Sequence, residues 1–205
     1  MKTHTLLAIG IVSLLAITAQ ASQGQLAQSI RETQAETSRT DAQLEATLAA
    51  INTLTRQTEG DLRPAYSAYC SEVGKTQSAA AWTKARAQWM ASDGRKYFQD
   101  WQTTIERIGN ESLRKKAQKR LNVVQTSYDK VEASLRQAGE QFNPFLSDLA
   151  DIQKALALDV TPGGVKAIKS TVRSANWNRQ YVDKAVKAAL KEMDKMQKAL
   201  STEAK

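Results

Sequence analysis

From Ala117 to Leu156 the apolar positions advance by four and three residues without a break: Ala117, Leu121, Val124, Tyr128, Val131, Leu135, Ala138, Phe142, Phe145, Leu149, Ile152 and Leu156. A straight α-helix turns once every 3.6 residues, so a seven-residue stripe held this long stays on one face only if the helix winds around partner helices. The stripe predicts a helical rod of about 60 Å at about 1.5 Å per residue. Pro144 falls inside it, where it removes a backbone hydrogen bond and crowds the preceding turn, so a kink is expected near residues 140–143. Because the four-three phase passes through Pro144 intact, a kinked continuous helix is expected rather than a loop. Gly109-Asn110 marks its start, and Thr161-Pro162-Gly163-Gly164 marks a turn after it, with Thr161 placed as a cap.

The last segment repeats the device, with Val165, Ile168, Val172, Ala175, Arg179, Val182, Val186, Ala189, Met193, Met196 and Leu200 at the same spacing. This seam has a natural antiparallel partner in the preceding rod, and burying the two stripes together would supply most of the stability. Arg179 alone interrupts it. A charge at such a position sets register, reaches a carboxylate or snorkels to the edge, and snorkelling is the expectation.

Upstream, a first helix is expected from about Gln25 to Thr58, with seam positions Leu26, Ile30, Thr33, Thr37, Thr40, Leu44, Thr47, Ile51 and Leu54. Four of these nine positions are threonine, which buries little and favours helix weakly, so loose packing, a slight rotation toward Leu48, or partial exposure is expected. Gly60-Asp61 then punctuates the chain, with Asp61 placed to cap and Pro64 in the first turn of the next helix. Between Leu62 and Ile108, Gly74 and Gly94 predict a short helix, then a helix carrying Trp82, Ala85 and Trp89, then a turn leading to Tyr97, Trp101, Ile105 and Ile108. Trp82 and Trp89 lie one heptad apart and are expected in the core, in preference to stacking on sugars or bases. With three prolines and nine glycines in 205 residues, the chain is expected to be all-α, an elongated antiparallel helical bundle or coiled coil with a Pro144-kinked central helix.

At the N-terminus, Lys2, the apolar run Leu6 to Ile17 and Ala19-Gln20-Ala21 have the form of a cleaved signal peptide. The run is shorter than the roughly 20 apolar residues that cross a bilayer. No cysteine follows the cleavage site, so the bacterial lipoprotein route looks closed, and a periplasmic product beginning near Ser22 is expected. This divides the chain into a signal peptide, 1–21, and one helical coiled-coil domain, 22–205, with no transmembrane segment in the mature part.

Cleavage would remove His4, the one histidine, and with it the usual general base and the usual transition-metal ligand. Cys70 is the single cysteine and cannot build a zinc site or an intrachain disulfide. Beside Tyr66, Tyr69 and Val73 it is expected to be buried, with an interchain disulfide as the alternative. Glu106 and Glu111 form no recognisable acid/base pair. No catalytic, cofactor or metal residue is therefore assigned, and an enzyme is not expected.

Charge is uneven. Residues 22–100 hold nine basic and nine acidic side chains, whereas residues 101–205 hold nineteen and twelve, which places the surplus in the second half. It gathers at Arg114, Lys115, Lys116, Lys119 and Arg120, and along the last helix from Lys166 to Lys198, where Lys184, Lys187 and Lys191 are taken as representatives. These eight residues are the candidate partner surface. Anionic glycan or lipid suits them, with salt-sensitive affinity, while a merely solvated face is the competing reading. Nucleic acid is the least favoured partner, because no reading motif accompanies the charge.

The run Asn110-Glu111-Ser112-Leu113-Arg114-Lys115-Lys116, the later Arg120-Leu121 and the Asn143-Pro144 junction resemble the bacterial exported family catalogued as domain of unknown function 2959. Gly60-Asp61-Leu62 with Tyr66, and Phe98-Gln99-Asp100-Trp101, fit the same pattern. The resemblance implies an envelope-located, mostly helical coiled-coil protein, and it carries over no functional residue. The basic charge and plain signal peptide depart from members that are commonly acidic and often begin as lipoproteins. The expected function is a non-catalytic envelope scaffold or adaptor that binds another envelope protein or itself. A holdase resembling the jellyfish-shaped periplasmic chaperones, and a polyanion binder, are the alternatives.

Overall fold

In the computed structural model, four helices carry the chain: α1 Thr5–Arg56, α2 Arg63–Glu106, α3 Glu111–Leu158 and α4 Pro162–Ser201. The structure describes the backbone from Thr5 to Ser201 and the side chains from Gln20 to Ser201. The signal-peptide expectation, including Lys2 and His4, falls outside the described side chains. The described residues form an all-α helical bundle and contain no strand.

The connections form where the sequence places its punctuation. Gly60 adopts φ 81°, a left-handed conformation that glycine takes without a Cβ penalty, and so lets α1 end and the chain turn. Asp61 accepts the Arg63 backbone N–H at 3.0 Å and its guanidinium at 2.8 Å, and this hydrogen bonding holds its carboxyl below the usual carboxylate range. Asn110 caps α3, accepting the Leu113 N–H at 3.1 Å on its side chain. After α3, Gly164 lies so close to the Asp159 carbonyl that a Cβ would overlap it, which explains a glycine at the second position of the Gly-Gly pair.

α3 runs continuously through Pro144, as the unbroken phase requires. α2 corrects the expectation of a broken segment, since it is a single helix through Gly74 and Gly94. The reason is tertiary. Gly94 packs against the Tyr128 ring so closely that a Cβ would collide with it, so this glycine serves a close helix approach rather than a helix end. Gly74 meets nothing within 4 Å and carries only its ordinary helix penalty, about 1 kcal/mol.

The residues group into two compact units, one of Met1–Gln34, Arg86–Glu132 and Lys191–Lys205, the other of Ala35–Ala85 and Ala133–Leu190. In the second unit the expected α3–α4 pair is present, with Phe145, Leu149, Ile152 and Leu156 packed in one core with Val165, Val172 and Val182. α1 contributes Leu44, Leu48, Ile51 and Leu54 to that core, α2 contributes Tyr69 and Val73, and Leu62 joins them from the connection just before α2. Polar contacts fix the directions. Thr47 meets Thr76 and Thr40 meets Thr83, Tyr66 and Tyr69 donate to the carbonyls of Gln153 and Leu149, and Asn52 pairs with Asn176 while Asp41 reaches Arg179. Each pair reads as antiparallel neighbours, which is up-down-up-down order.

Of the three alternatives for the threonine seam, the structure shows burial with Leu48 included and not exposure. Thr33, Thr37, Thr40 and Thr47 are all buried, and Leu48 is buried with them. Hydroxyl to hydroxyl distances of 2.7 Å (Thr47 to Thr76) and 2.8 Å (Thr40 to Thr83) satisfy the polar groups across the α1–α2 contact. α2 meets them with its own four-three run of mostly small residues, Thr76, Ala80, Thr83, Ala87 and Met90, all buried or half-buried. Trp82 and Trp89 share a face that lies more than about 100° round α2 from that run, and they are 57% and 49% exposed, contrary to the core expectation. One heptad puts both indoles on one face, and that face is the one turned away from α1.

In the first unit, Leu26, Ile30, Met90, Leu121, Val124, Val131, Met193 and Met196 are buried. Tyr97, Phe98 and Tyr128 stack in tilted pairs, with centroids 5.1 Å apart for Tyr97 and Phe98 and 5.4 Å for Phe98 and Tyr128. Tyr128 donates to the Met90 carbonyl at 2.9 Å. Trp89 is covered on one ring face by the Arg86 guanidinium, 4.9 Å from the centroid, which gives the exposed indole a cation–π contact.

Gly94→Ala is expected to destabilise by about 1–3 kcal/mol through overpacking against Tyr128, despite alanine's better propensity. Gly74→Ala should stabilise by about 0.5–1 kcal/mol, and urea unfolding of the two variants measures both signs. Burial raises the Tyr69 and Tyr128 phenols well above their ordinary value and pushes Tyr66 up to about 12. The folded state therefore holds these protons longer than an unfolded chain does, and their stabilisation is complete below about pH 10 and lost as pH rises through the folded values. Thermal melts should fall more steeply above about pH 10 for the wild type than for the Tyr69→Phe, Tyr128→Phe double variant.

Candidate binding surface

No cluster of three metal-ligating side chains occurs among the described residues. Glu106 accepts from Gln102 at 3.1 Å and Glu111 pairs with Lys115 at 2.7 Å, so each is engaged by its own helix. Cys70 is half-buried rather than fully buried, a departure from the expectation, and its thiol neighbours the Tyr66 hydroxyl. No helix among the described residues is long and apolar enough to cross a membrane.

Arg179 corrects another expectation. It does not snorkel, because its side chain is only 10% exposed and is drawn to carboxylates on two helices. Asp41 of α1 accepts its Nη2 at 2.8 Å, Glu45 approaches Nε at 3.5 Å, and Asp183 one turn along α4 pairs with Nη1. Only the Asp41 contact has hydrogen-bond geometry, since Nε and Nη1 find no hydrogen-bond partner. This cation ties the α1–α4 contact together. A seam position could afford it only because α1 offers acids at the facing edge.

The candidate cations are exposed. Arg114, Lys115, Lys116, Lys119 and Arg120 occupy the first turns of α3, in the first unit. Lys115, Lys116, Lys119 and Arg120 share roughly 140° of helix surface, while Arg114 faces elsewhere. Lys184 and Lys187 belong to the second unit and Lys191 to the first.

On α4 the second unit orders its charge more strictly. Lys166, Lys169, Arg173, Lys184 and Lys187 all project within roughly 80° of one another, on the face turned away from the buried Ile168, Val172, Ala175 and Val182. The one acid in this part of α4, Asp183, lies on the flank beside Arg179. Within the same arc stands Trp177, 67% exposed, and Tyr181, 51% exposed, follows on its edge. Sequence reasoning named the basic run but passed over both rings. The signal was available, because Trp177 and Tyr181 are the aromatic residues of α4 and both lie off its four-three seam.

Beside this face, Asn52 and Thr55 of α1 with Lys169, Val172, Arg173 and Asn176 of α4 line an open cleft of about 240 Å³. Asn52 and Asn176 exchange two amide hydrogen bonds of 2.9 Å at its wall. Lys169 and Arg173 bring two cations to its lining.

The family model described as "Protein of unknown function (DUF2959)" matches residues 20–200 of the chain. Neither the curated proteins nor the solved structures yield a match.

Proposed function

Since the chain belongs to the DUF2959 family, whose description assigns no activity, we propose from its own surfaces that it is a non-catalytic, exported envelope scaffold or adaptor. The observation that carries this reading is the closure of the long seams on one another. Leu44 to Leu54, Phe142 to Leu156 and Val165 to Val186 are spent in one core, and the threonine seam is filled by α2. A partner must then meet the outside of the bundle, and the α4 face of Lys166, Lys169, Arg173 and Trp177 joins concentrated charge to an exposed ring. Periplasmic export by a cleaved signal, 1–21, belongs to the same proposal.

Two measurements test it. N-terminal sequencing of the protein recovered from the periplasmic fraction should begin near Ser22, and recovery only in the cytosol with residue 1 intact would sink the export. In-cell crosslinking should return a defined envelope component, with the yield reduced when Lys166, Lys169 and Arg173 are reversed to glutamate. Recovery of monomer alone would remove the adaptor reading.

A further inference from the structure

We infer that the outward face of α4 in the second unit docks flat on an anionic lipid surface, with Trp177 and Tyr181 as interfacial anchors. This deepens the adaptor reading and rests on it, by giving the exterior face a partner of stated chemistry. Lys166 to Lys187 spans about 32 Å along the helix at about 1.5 Å per residue, a length that meets several lipid headgroups at once. The five cations of that arc face one way with no acid among them, which complements a sheet of negative headgroups.

The rings decide between a sheet and a soluble polyanion. Charge alone serves either, but Trp177 and Tyr181 stand exposed between the basic turns of Lys166, Lys169 and Arg173 and those of Lys184 and Lys187. Indole and phenol rings settle at the level of lipid headgroups, with the apolar body toward the acyl boundary and the polar edge in water. Long lysine stems lie along such a boundary with their ammonium groups in the headgroup layer. The α1–α4 cleft, lined by Lys169, Arg173, Asn52 and Asn176, offers room for one headgroup. The apolar stripe of α4 stays in the core, so the attachment is peripheral, reversible and salt-sensitive.

Co-sedimentation of the processed protein with phosphatidylglycerol-containing vesicles, against pure phosphatidylcholine vesicles and soluble polyphosphate, tests this. Binding to the anionic vesicles alone is expected. Removing three cations near a charged surface, and adding three repelling carboxylates, means that K166E/K169E/R173E should weaken it by at least about 100-fold. W177A should weaken it by roughly fivefold, while W82A, which removes an exposed indole elsewhere, should leave it unchanged. Circular dichroism melts of all variants should overlay, as every altered side chain is exposed. Retained binding in the triple variant, equal binding in W177A, or equal affinity for polyphosphate would each overturn the lipid surface. Loss of vesicle binding with retained α4-dependent crosslinking to an envelope protein would overturn the lipid inference and leave the adaptor reading standing. Vesicle binding by a protein that crosslinks to no envelope component would do the reverse.

Discussion

The contact between the threonine seam of α1 and the small-residue run of α2 governs what the rest of the bundle can do. Threonine is a poor core residue, and a seam with four of them closes only if the hydroxyls find partners and the facing helix comes near. Both conditions are met. Thr47 finds Thr76, Thr40 finds Thr83, and Thr33 donates to its own helix at the Ser29 carbonyl, 2.8 Å away. α2 meets the seam with Thr76, Ala80, Thr83 and Ala87, while Trp82 and Trp89 lie on the far side of the helix and stay at the surface. Among the described residues the threonine seam is covered by its own chain.

With the interior closed, specificity among helix pairings falls to a few polar contacts. Leucine and valine stripes pack in many registers, whereas Arg179 reaches carboxylates only where Asp41 and Glu45 face it. Removing one member of such a group would strand the others partly buried, so its worth lies in choosing the register more than in net stability. Tyr66 and Tyr69 do the same for α2 and α3 by donating to carbonyls one turn apart on α3.

The two long helices α3 and α4 and their pairing were plain in the sequence, because twelve and eleven consecutive seam positions leave no alternative phase, whereas α2 read as a broken segment. Pro144 and Asn110 were also legible, one from the unbroken phase and one from cap chemistry. Harder to see was everything that depends on the neighbouring helix. Gly94 looks like a break until Tyr128 is placed over it, and Trp82 and Trp89 look like core until the face of α2 that meets α1 is known. Arg179 looks like a snorkelling edge residue until the acids of α1 arrive. The basic face of α4 was visible as composition, but Trp177 and Tyr181 gained meaning only when the seam was shown to exclude them.

The closed interior is tested most directly by native-state hydrogen exchange along α1. Amides from Thr33 to Thr47 should exchange as slowly as those of α4 from Val172 to Val186, through opening of the whole bundle. Exchange of the threonine stretch orders of magnitude faster than that of α4 would contradict it, and would show a seam that opens locally to admit a partner.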